Sequence, residues 1–350
     1  LSENESNQAR RSVCVVVFGA TGHLGQALIA KLAESDWPIA SLLGVASSES
    51  AGETFEFRGE ELDLHSECPV LRGQDLVFLC TPPTEALEII REALRAEVPC
   101  IDCTGALANQ ADVPLPPPPS VAGTSSDEDR IVQAPILSVL SGTTLAWAPI
   151  LDALGVSRAS GTVVSSAAAL GRKGVVALSE ESIALFNQSE DPSGGPAGQP
   201  VAFDVIPGGG IDCERVRSEC QRLFGDRLRL DLANLQVPTF VGEGTSLFLE
   251  LTAPLRLTEI ETRLNKAEGL TVVREGPGSR GLAEVSAASS APIGPTLRDA
   301  IGSDQILIGR IEPDQSLPEG LGWRCWLTCD PLRLTADQAF ALASRRLGLT

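Results

Sequence analysis

Methionine and tyrosine are missing altogether from the 350 residues, and histidine occurs only twice. Nothing in the sequence explains the first two absences. The third narrows the chemistry: His23 lies in a glycine turn and His65 among polar residues, neither with a partner at metal-ligand spacing, so no metal is expected. Lysine is nearly as scarce. Lys31, Lys173 and Lys266 are scattered, and none has a setting for Schiff-base chemistry. Long apolar runs are absent too. Val13–Phe18 is typical of the longest, far short of the ~20 residues of a spanning helix, so no membrane partner is expected. The opening LSENESNQARRSV has no apolar stretch of the signal-peptide kind.

Positive charge is in deficit as well. Against 46 acidic residues stand 27 basic ones, a formal net charge of −19. A field of that sign repels phosphate backbones, and no basic cluster offsets it, so no nucleic acid is expected as a partner. The nine cysteines are scattered and odd in number, without zinc-type spacing. Cys14 and Cys80 sit in apolar runs, and Cys325 and Cys329 fall four apart on one face of an expected strand, where core packing is the default. This usage fits a reducing cytoplasm.

At ~150 residues per domain, the length suggests two domains. Ser12–Phe18 is a β-branched run suited to a strand buried on both faces, followed by the turn GATGHLG and an amphipathic helix from His23 to about Ser35. Ser41–Ala46, Leu76–Cys80 and Pro99–Asp102 read as further strands, with TEALEIIREALRA as a helix between the last two. Alternating strands and helices predict a doubly wound parallel sheet of the Rossmann type. Val113–Arg130 is proline-rich and then polar, a surface excursion or linker, and Gly194–Gln199 is a flexible loop. Beyond the excursion GTVVSSA, LRLDLANLQVPTFV, TSLFLELTAP, QILIGRI and LGWRCWLTC predict a mixed or antiparallel sheet with a few helices. The expected division is 12–134 plus 330–350 as a dinucleotide-binding domain and 135–329 as an α+β substrate and dimerisation domain. Thr335–Leu347 reads as a helix returning to the first.

Gly19, Gly22 and Gly25 directly follow an apolar strand and open a helix. Glycines there permit a tight turn and let a pyrophosphate approach the helix amides, although a purely structural turn has the same appearance. Thr21, His23 and Leu24 complete this stretch of the candidate cofactor site, with Ser47, Glu49 and Ser50 after the second strand. Glu49 stands about twenty-five residues beyond the loop. An acid near that distance suits the ribose 2′-hydroxyl of NAD and repels the 2′-phosphate of NADP, so NAD is favoured; a solvated loop glutamate is the alternative.

An ordered series of segments resembles the aspartate-semialdehyde dehydrogenase family: GATGHLG, ASSESAG, PCIDCTGAL, the GRKG after VVSSAAAL, VAFDVIP, VPTFVGEGTS, ILIGRI and DPLR. ALGRKG and CTGAL resemble most the divergent Usg-type branch. The resemblance implies a homodimer formed through the second domain's sheet, a nicotinamide dinucleotide cofactor and a link to amino-acid biosynthesis. It also implies thiol chemistry, in which a cysteine attacks an aldehyde and the adduct gives hydride to the cofactor.

The residues at the positions implied for that chemistry differ. Leu137, in Pro135-Ile136-Leu137-Ser138, occupies the nucleophile position and Glu243 the histidine base position. Gln236 stands for the carboxylate-binding arginine, Ser165 for a glutamine, Ala108 for a phosphate-binding arginine, and Asp212 and Arg215 for a Glu and Lys. A pocket so altered is hostile to a doubly anionic substrate. The expectation is a nucleotide-binding protein without the thiol reaction. Two alternatives stay open: an oxidoreductase using Glu243 or a displaced thiol, Cys103 or Cys213, and a partner subunit with a vestigial cofactor site.

Overall fold

The computed structural model describes residues 12–50, 52–119, 121, 133–189, 195–273 and 294–349. They form two compact units.

The first unit comprises residues up to 116, 126–139 and 336–350. Its strands are β1 (Val13–Phe18), β2 (Ile39–Val45), β3 (Thr54–Phe57), β4 (Glu60–His65), β5 (Leu76–Leu79), β6 (Cys100–Asp102) and β7 (Ile136–Ser138). They form one sheet in the order β3-β4-β2-β1-β5-β6-β7, parallel except for the β3–β4 hairpin. Helices α1 (His23–Glu34) and α2 (Pro83–Arg95) are the crossovers after β1 and β5. β1 neighbours both β2 and β5, so the order of connection reverses there, and crevices of this kind at strand C-termini receive ligands. The expected doubly wound sheet is therefore present. The hairpin is an addition to the sequence reading: TFEF and LDL alternate in polarity across Arg58–Gly59, both at positive φ, as a two-residue hairpin turn requires.

The second unit runs from 117 to 125 and from 140 to 335. Its sheet has the order β12-β13-β14-β11-β8-β10-β9. The strands are β8 (Val156–Ser165), β9 (Ile206–Pro207), β10 (Arg229–Gln236), β11 (Glu243–Leu251), β12 (Leu270–Val272), β13 (Ile306–Pro313) and β14 (Gly322–Cys329). β8 with β10 and β12 with β13 are parallel and the remaining pairs antiparallel, the mixed sheet that was expected. Helices α3 (Gly142–Leu154), α4 (Gly171–Phe186), α5 (Cys213–Phe224), α6 (Leu257–Leu264) and α7 (Leu297–Ala300) belong to this unit. Side chains of α3, α5 and α6 share one hydrophobic cluster with alternate residues of the strands, among them Ala159, Val163, Leu247, Cys325 and Cys329. The two cysteines pack in the core, as their spacing suggested. Between them alternate residues of β8 and β11 point the other way and stay partly open, with Phe248 41% exposed.

The boundary differs from the expected division after residue 134. β7 hydrogen-bonds in register with β6, which makes it the last strand of the first sheet. The physical reason is its composition: Ile136 and Leu137 are buried in that sheet's two core clusters, and Ser138 donates to Asp102. Helix α8 (Pro331–Leu347) contributes Ala336, Ala339, Leu342 and Ala343 to the first unit's core, whereas its first turn belongs to the second unit. The proline-rich stretch is not a simple surface excursion, because Leu115, Pro116 and Pro118 are buried and Gln338 donates to the Pro116 carbonyl. Ser120 and 122–130 of that stretch, and Gly194 of the expected loop, lie outside the described residues.

Leu137 is 1% exposed and packs with Ile101, Cys103 and Val139. A leucine so placed is a packing residue. Leu137→Ala is expected to lower the unfolding free energy by roughly 2–5 kcal/mol, measured by urea denaturation. A change within about 0.5 kcal/mol, as for a surface site, would show that Leu137 is not held in the core.

Candidate functional site

The glycine turn is set at the β1 C-terminus by two amides, Gly19 and Ala20, both donating to the Val45 carbonyl. α1 begins at His23, so the amides of its first turn have no acceptor within the helix. Gly25 is obligatory: a Cβ there would lie 2.2 Å from the Gly19 carbonyl oxygen, a backbone contact that cannot give way. Thr21, Gly22 and Leu24 fill the rest of this stretch, and Ser47, Glu49 and Ser50 form a short turn after β2 in which Ser50 donates to the Ser47 carbonyl. The strand ends bring these two groups to the same edge of the sheet, as expected for a dinucleotide crevice. Thr81 was not singled out by sequence. It follows β5 beside Gly19, and its buried hydroxyl has no partner among the described residues.

Asp102 and Ala108 sit on the next strand and its following turn. Asp102 accepts from the Thr104 amide and hydroxyl and the Leu107 amide, and Ala108 is buried, so this corner is closed by structure. Cys103 packs in the core. Its hydrogen bond with Cys80, together with burial, holds its thiol well above the ordinary range, the opposite of an activated nucleophile.

In the second unit Gln236, Ser165 and Glu243 form one row across adjacent strands β10, β8 and β11. Their side chains share the face turned to α3, and all three are buried. Ser165 Oγ donates to Gln236 Oε1 at 3.3 Å, and Thr143 of α3 donates to Glu243 Oε2 at 3.1 Å. Glu243 Oε1 and Gln236 Nε2 have no partner among the described residues. Burial pushes the Glu243 carboxyl up to about 7, while the Thr143 bond pulls it down.

Among the described residues no hydrogen bond ties Asp212 or Arg215 to this row; they build a helix terminus. Asp212 is the N-cap of α5 and accepts from the Arg215 amide at 3.0 Å. The Arg215 guanidinium donates to Glu219 at 2.7 Å. Glu219 has no exposed surface, and its second oxygen accepts from the Ser141 and Thr144 hydroxyls at 2.6 and 2.5 Å. It also accepts from the Ser141 amide, so this carboxylate fixes the first turn of α3. Sequence reasoning missed Glu219 and Thr143; the Ser141-Gly142-Thr143-Thr144 run before an apolar helix was the available signal. Cys213, the first residue of α5, has its thiol raised, chiefly by burial and against the pull of Arg217. Among the described residues no group of three His, Cys, Asp or Glu could hold a metal.

With this geometry in hand, comparison with known proteins is direct. Residues 14–122 match the NAD-binding domain of semialdehyde dehydrogenases and residues 147–334 their dimerisation domain. The chain belongs to the semialdehyde dehydrogenase family. It is similar to the aspartate-semialdehyde dehydrogenase of Legionella pneumophila, at 28% identity over 92% of both chains. It is also similar to a USG-1 protein homologue of Pseudomonas aeruginosa, at 27% identity over 91% of this chain and 93% of the relative. Among solved structures, a probable aspartate-semialdehyde dehydrogenase of Pseudomonas aeruginosa superposes with a TM-score of 0.80 at 26% identity, covering 95% of this chain and 98% of that one. Aspartate semialdehyde dehydrogenase II of Vibrio cholerae has the same fold, with a TM-score of 0.81 at 24% identity and the same coverage. The resemblance read from the ordered motifs is therefore borne out.

The Glu243 proton couples to folding. The folded-state value of about 7 lies above the ordinary value of 4.5, so between these limits the native chain holds a proton that the unfolded chain has released. Stability from this group is full below pH ~4.5 and is lost as pH rises to about 7, by about 3 kcal/mol at most. Glu243→Gln is expected to remove that loss, so the gap in urea midpoint between pH 5 and pH 8 narrows. An unchanged gap would contradict the assignment.

Proposed function

We propose that this protein is a dinucleotide-binding homodimer that has lost the thiol chemistry of its family. The observation that carries this reading is Leu137. At the position where the resemblance puts the nucleophile, an aliphatic side chain is packed inside a strand of the first core. A leucine forms no thioester, and the nearby thiol of Cys103 is held protonated. The other substitutions agree. Glu243 and Gln236 stand where a histidine and an arginine are implied, and Arg215 is engaged by Glu219. A site without those cations does not stabilise a carboxylate and a phosphate together.

The cofactor half supports binding. Gly19, Gly22 and Gly25 leave the backbone bare, the first-turn amides of α1 and the Thr81 hydroxyl are suited to a pyrophosphate, and Glu49 suits a ribose diol better than a 2′-phosphate. NAD is therefore preferred to NADP. When bound, the nicotinamide supplies a hydride acceptor; the residues named here only hold and orient it. The homodimer reading rests on the match to a dimerisation domain and on the partly open face of the second sheet around Phe248. All nine cysteines are unpaired, in keeping with the reducing cytoplasm, and the family points to an association with amino-acid biosynthesis.

A second reading has its own observation. Glu243, buried and shifted to about 7, has the proton affinity of a general base. In such an oxidoreductase Glu243 would take a hydroxyl proton and a bound dinucleotide would supply the hydride acceptor, with no thiol needed.

Calorimetric titration with NAD and NADP, run beside a phosphate-dependent aspartate-semialdehyde oxidation assay, separates these. The expected result is saturable binding, tighter for NAD, with no turnover, and with none gained in Leu137→Cys alone because no imidazole stands beside it. Phosphate-dependent turnover by the natural chain would overturn the lost-chemistry reading. Absence of any nucleotide binding would overturn the cofactor reading.

A further inference from the structure

Asn234 extends the row of Gln236, Ser165 and Glu243. It lies two residues before Gln236 on β10, on the same face, and is likewise buried. Neither Asn234 Oδ1 nor Nδ2 has a hydrogen-bond partner among the described residues. With Gln236 Nε2 and Glu243 Oε1, the seam therefore holds two amide donors and two oxygen acceptors, all buried and all unused. Exchanging the two ends of the Asn234 amide leaves that count unchanged. Each such atom left dry costs about 1–3 kcal/mol, so a seam of four is a strong demand for a complementary group.

The loop against the seam is made of backbone alone. Gly208, Gly209 and Gly210 follow β9, and the Gly208 amide donates to the Asn234 carbonyl. A Cβ on Gly210 would lie 2.4 Å from Gln236 Oε1 and 2.9 Å from Ser165 Oγ, so only a glycine lets the loop backbone pack on these side chains without displacing them.

Charge selects the occupant. No lysine or arginine bonds to any of these four side chains among the described residues, so an anion has no counter-charge and meets Glu243. A cation meets a single carboxyl and leaves the two amide donors unanswered. A primary carboxamide answers both: its oxygen accepts from Gln236 and Asn234, and its two N–H groups donate to Glu243 and Asn234.

We propose that the Asn234–Gln236–Ser165–Glu243 seam binds a primary carboxamide group. This rests on reading these positions as the small-molecule half of the family site and adds the class of ligand they take. An aliphatic amide and the nicotinamide ring share that group.

The test uses three small probes with a three-carbon chain, propionamide, its planar isostere propionate, and propylammonium, with nicotinamide as a fourth, titrated into the full chain and followed by ligand-observed NMR. Propionamide or nicotinamide is expected to bind at least about tenfold more tightly than either ion, which corresponds to one unanswered buried hydrogen bond. Gln236→Met and Asn234→Leu are each expected to weaken the amide about tenfold. NAD affinity that stays unchanged in these variants assigns the seam to an aliphatic amide, and NAD affinity that falls with it assigns the seam to the nicotinamide carboxamide. Should Gln236→Met fail to fold, Gln236→Glu, which keeps the shape and removes the donor, is expected to show the same loss. Equal or tighter binding of propionate or propylammonium would overturn the proposal, as would no binding of any probe, the result for a seam filled by water only. Amide binding without NAD binding would sink the cofactor reading and leave this one standing; the reverse would sink only this one.

Discussion

A carboxylate without exposed surface organises the second unit. Glu219, on α5, accepts a guanidinium bond from Arg215 on its own helix and four bonds from Ser141 and Thr144 at the start of α3. A buried charge is tolerable only when paired and saturated, and here both conditions are met. The bonds also set where α3 begins, because the helix terminus supplies the donors. From that point α3 runs over the sheet, bringing Thr143 to Glu243 and Trp147 to Thr245, 3.2 Å from indole nitrogen to hydroxyl. The placement of the candidate site thus depends on a bond network several residues away from it.

The same face holds two kinds of buried polar group. Those of the Glu219 network are filled; those of the row from Gln236 to Glu243 are not. The difference separates structure from function. Asp212 and Arg215, at positions the resemblance implies for substrate, serve the Glu219 network instead: exposed Asp212 caps α5, and Arg215 neutralises Glu219. Gln236 and Glu243 remain of the second kind, each with one polar atom free for something other than the protein. In the first unit the equivalent contrast is between Asp102, whose oxygens are taken by the turn that follows it, and Thr81, whose hydroxyl is open beside the glycine loop.

Much of this was legible in the sequence where local and global preferences coincide. β1, the glycine turn and α1 announce themselves, since a β-branched run, glycines at fixed spacing and a 3.6-residue period all point one way. The mixed second sheet was read from alternating runs. β7 was assigned to the wrong domain because three residues after a proline-rich stretch carry no periodicity, and their membership is fixed only by pairing with β6. The β3–β4 hairpin escaped because most of its strand residues are exposed and polar, leaving only short apolar stretches. At the site, resemblance implied positions but could not give their partners. That Glu219 would claim Arg215, or that Thr143 would face Glu243 across 100 residues of chain, is a product of tertiary packing.

Packing also carries the proposal that no covalent chemistry remains. Leu137 fills a core where a nucleophile would stand, and the thiols of Cys103 and Cys213 are both raised. Intact-mass spectrometry of the protein, quenched in acid after incubation with aspartate semialdehyde and NAD in phosphate-free buffer, tests this most directly. Phosphate would otherwise discharge an acyl intermediate, so its omission lets any thioester accumulate. The account predicts a single species at the unmodified mass. A stoichiometric adduct of the acyl mass, mapped to any of the nine cysteines, would contradict it.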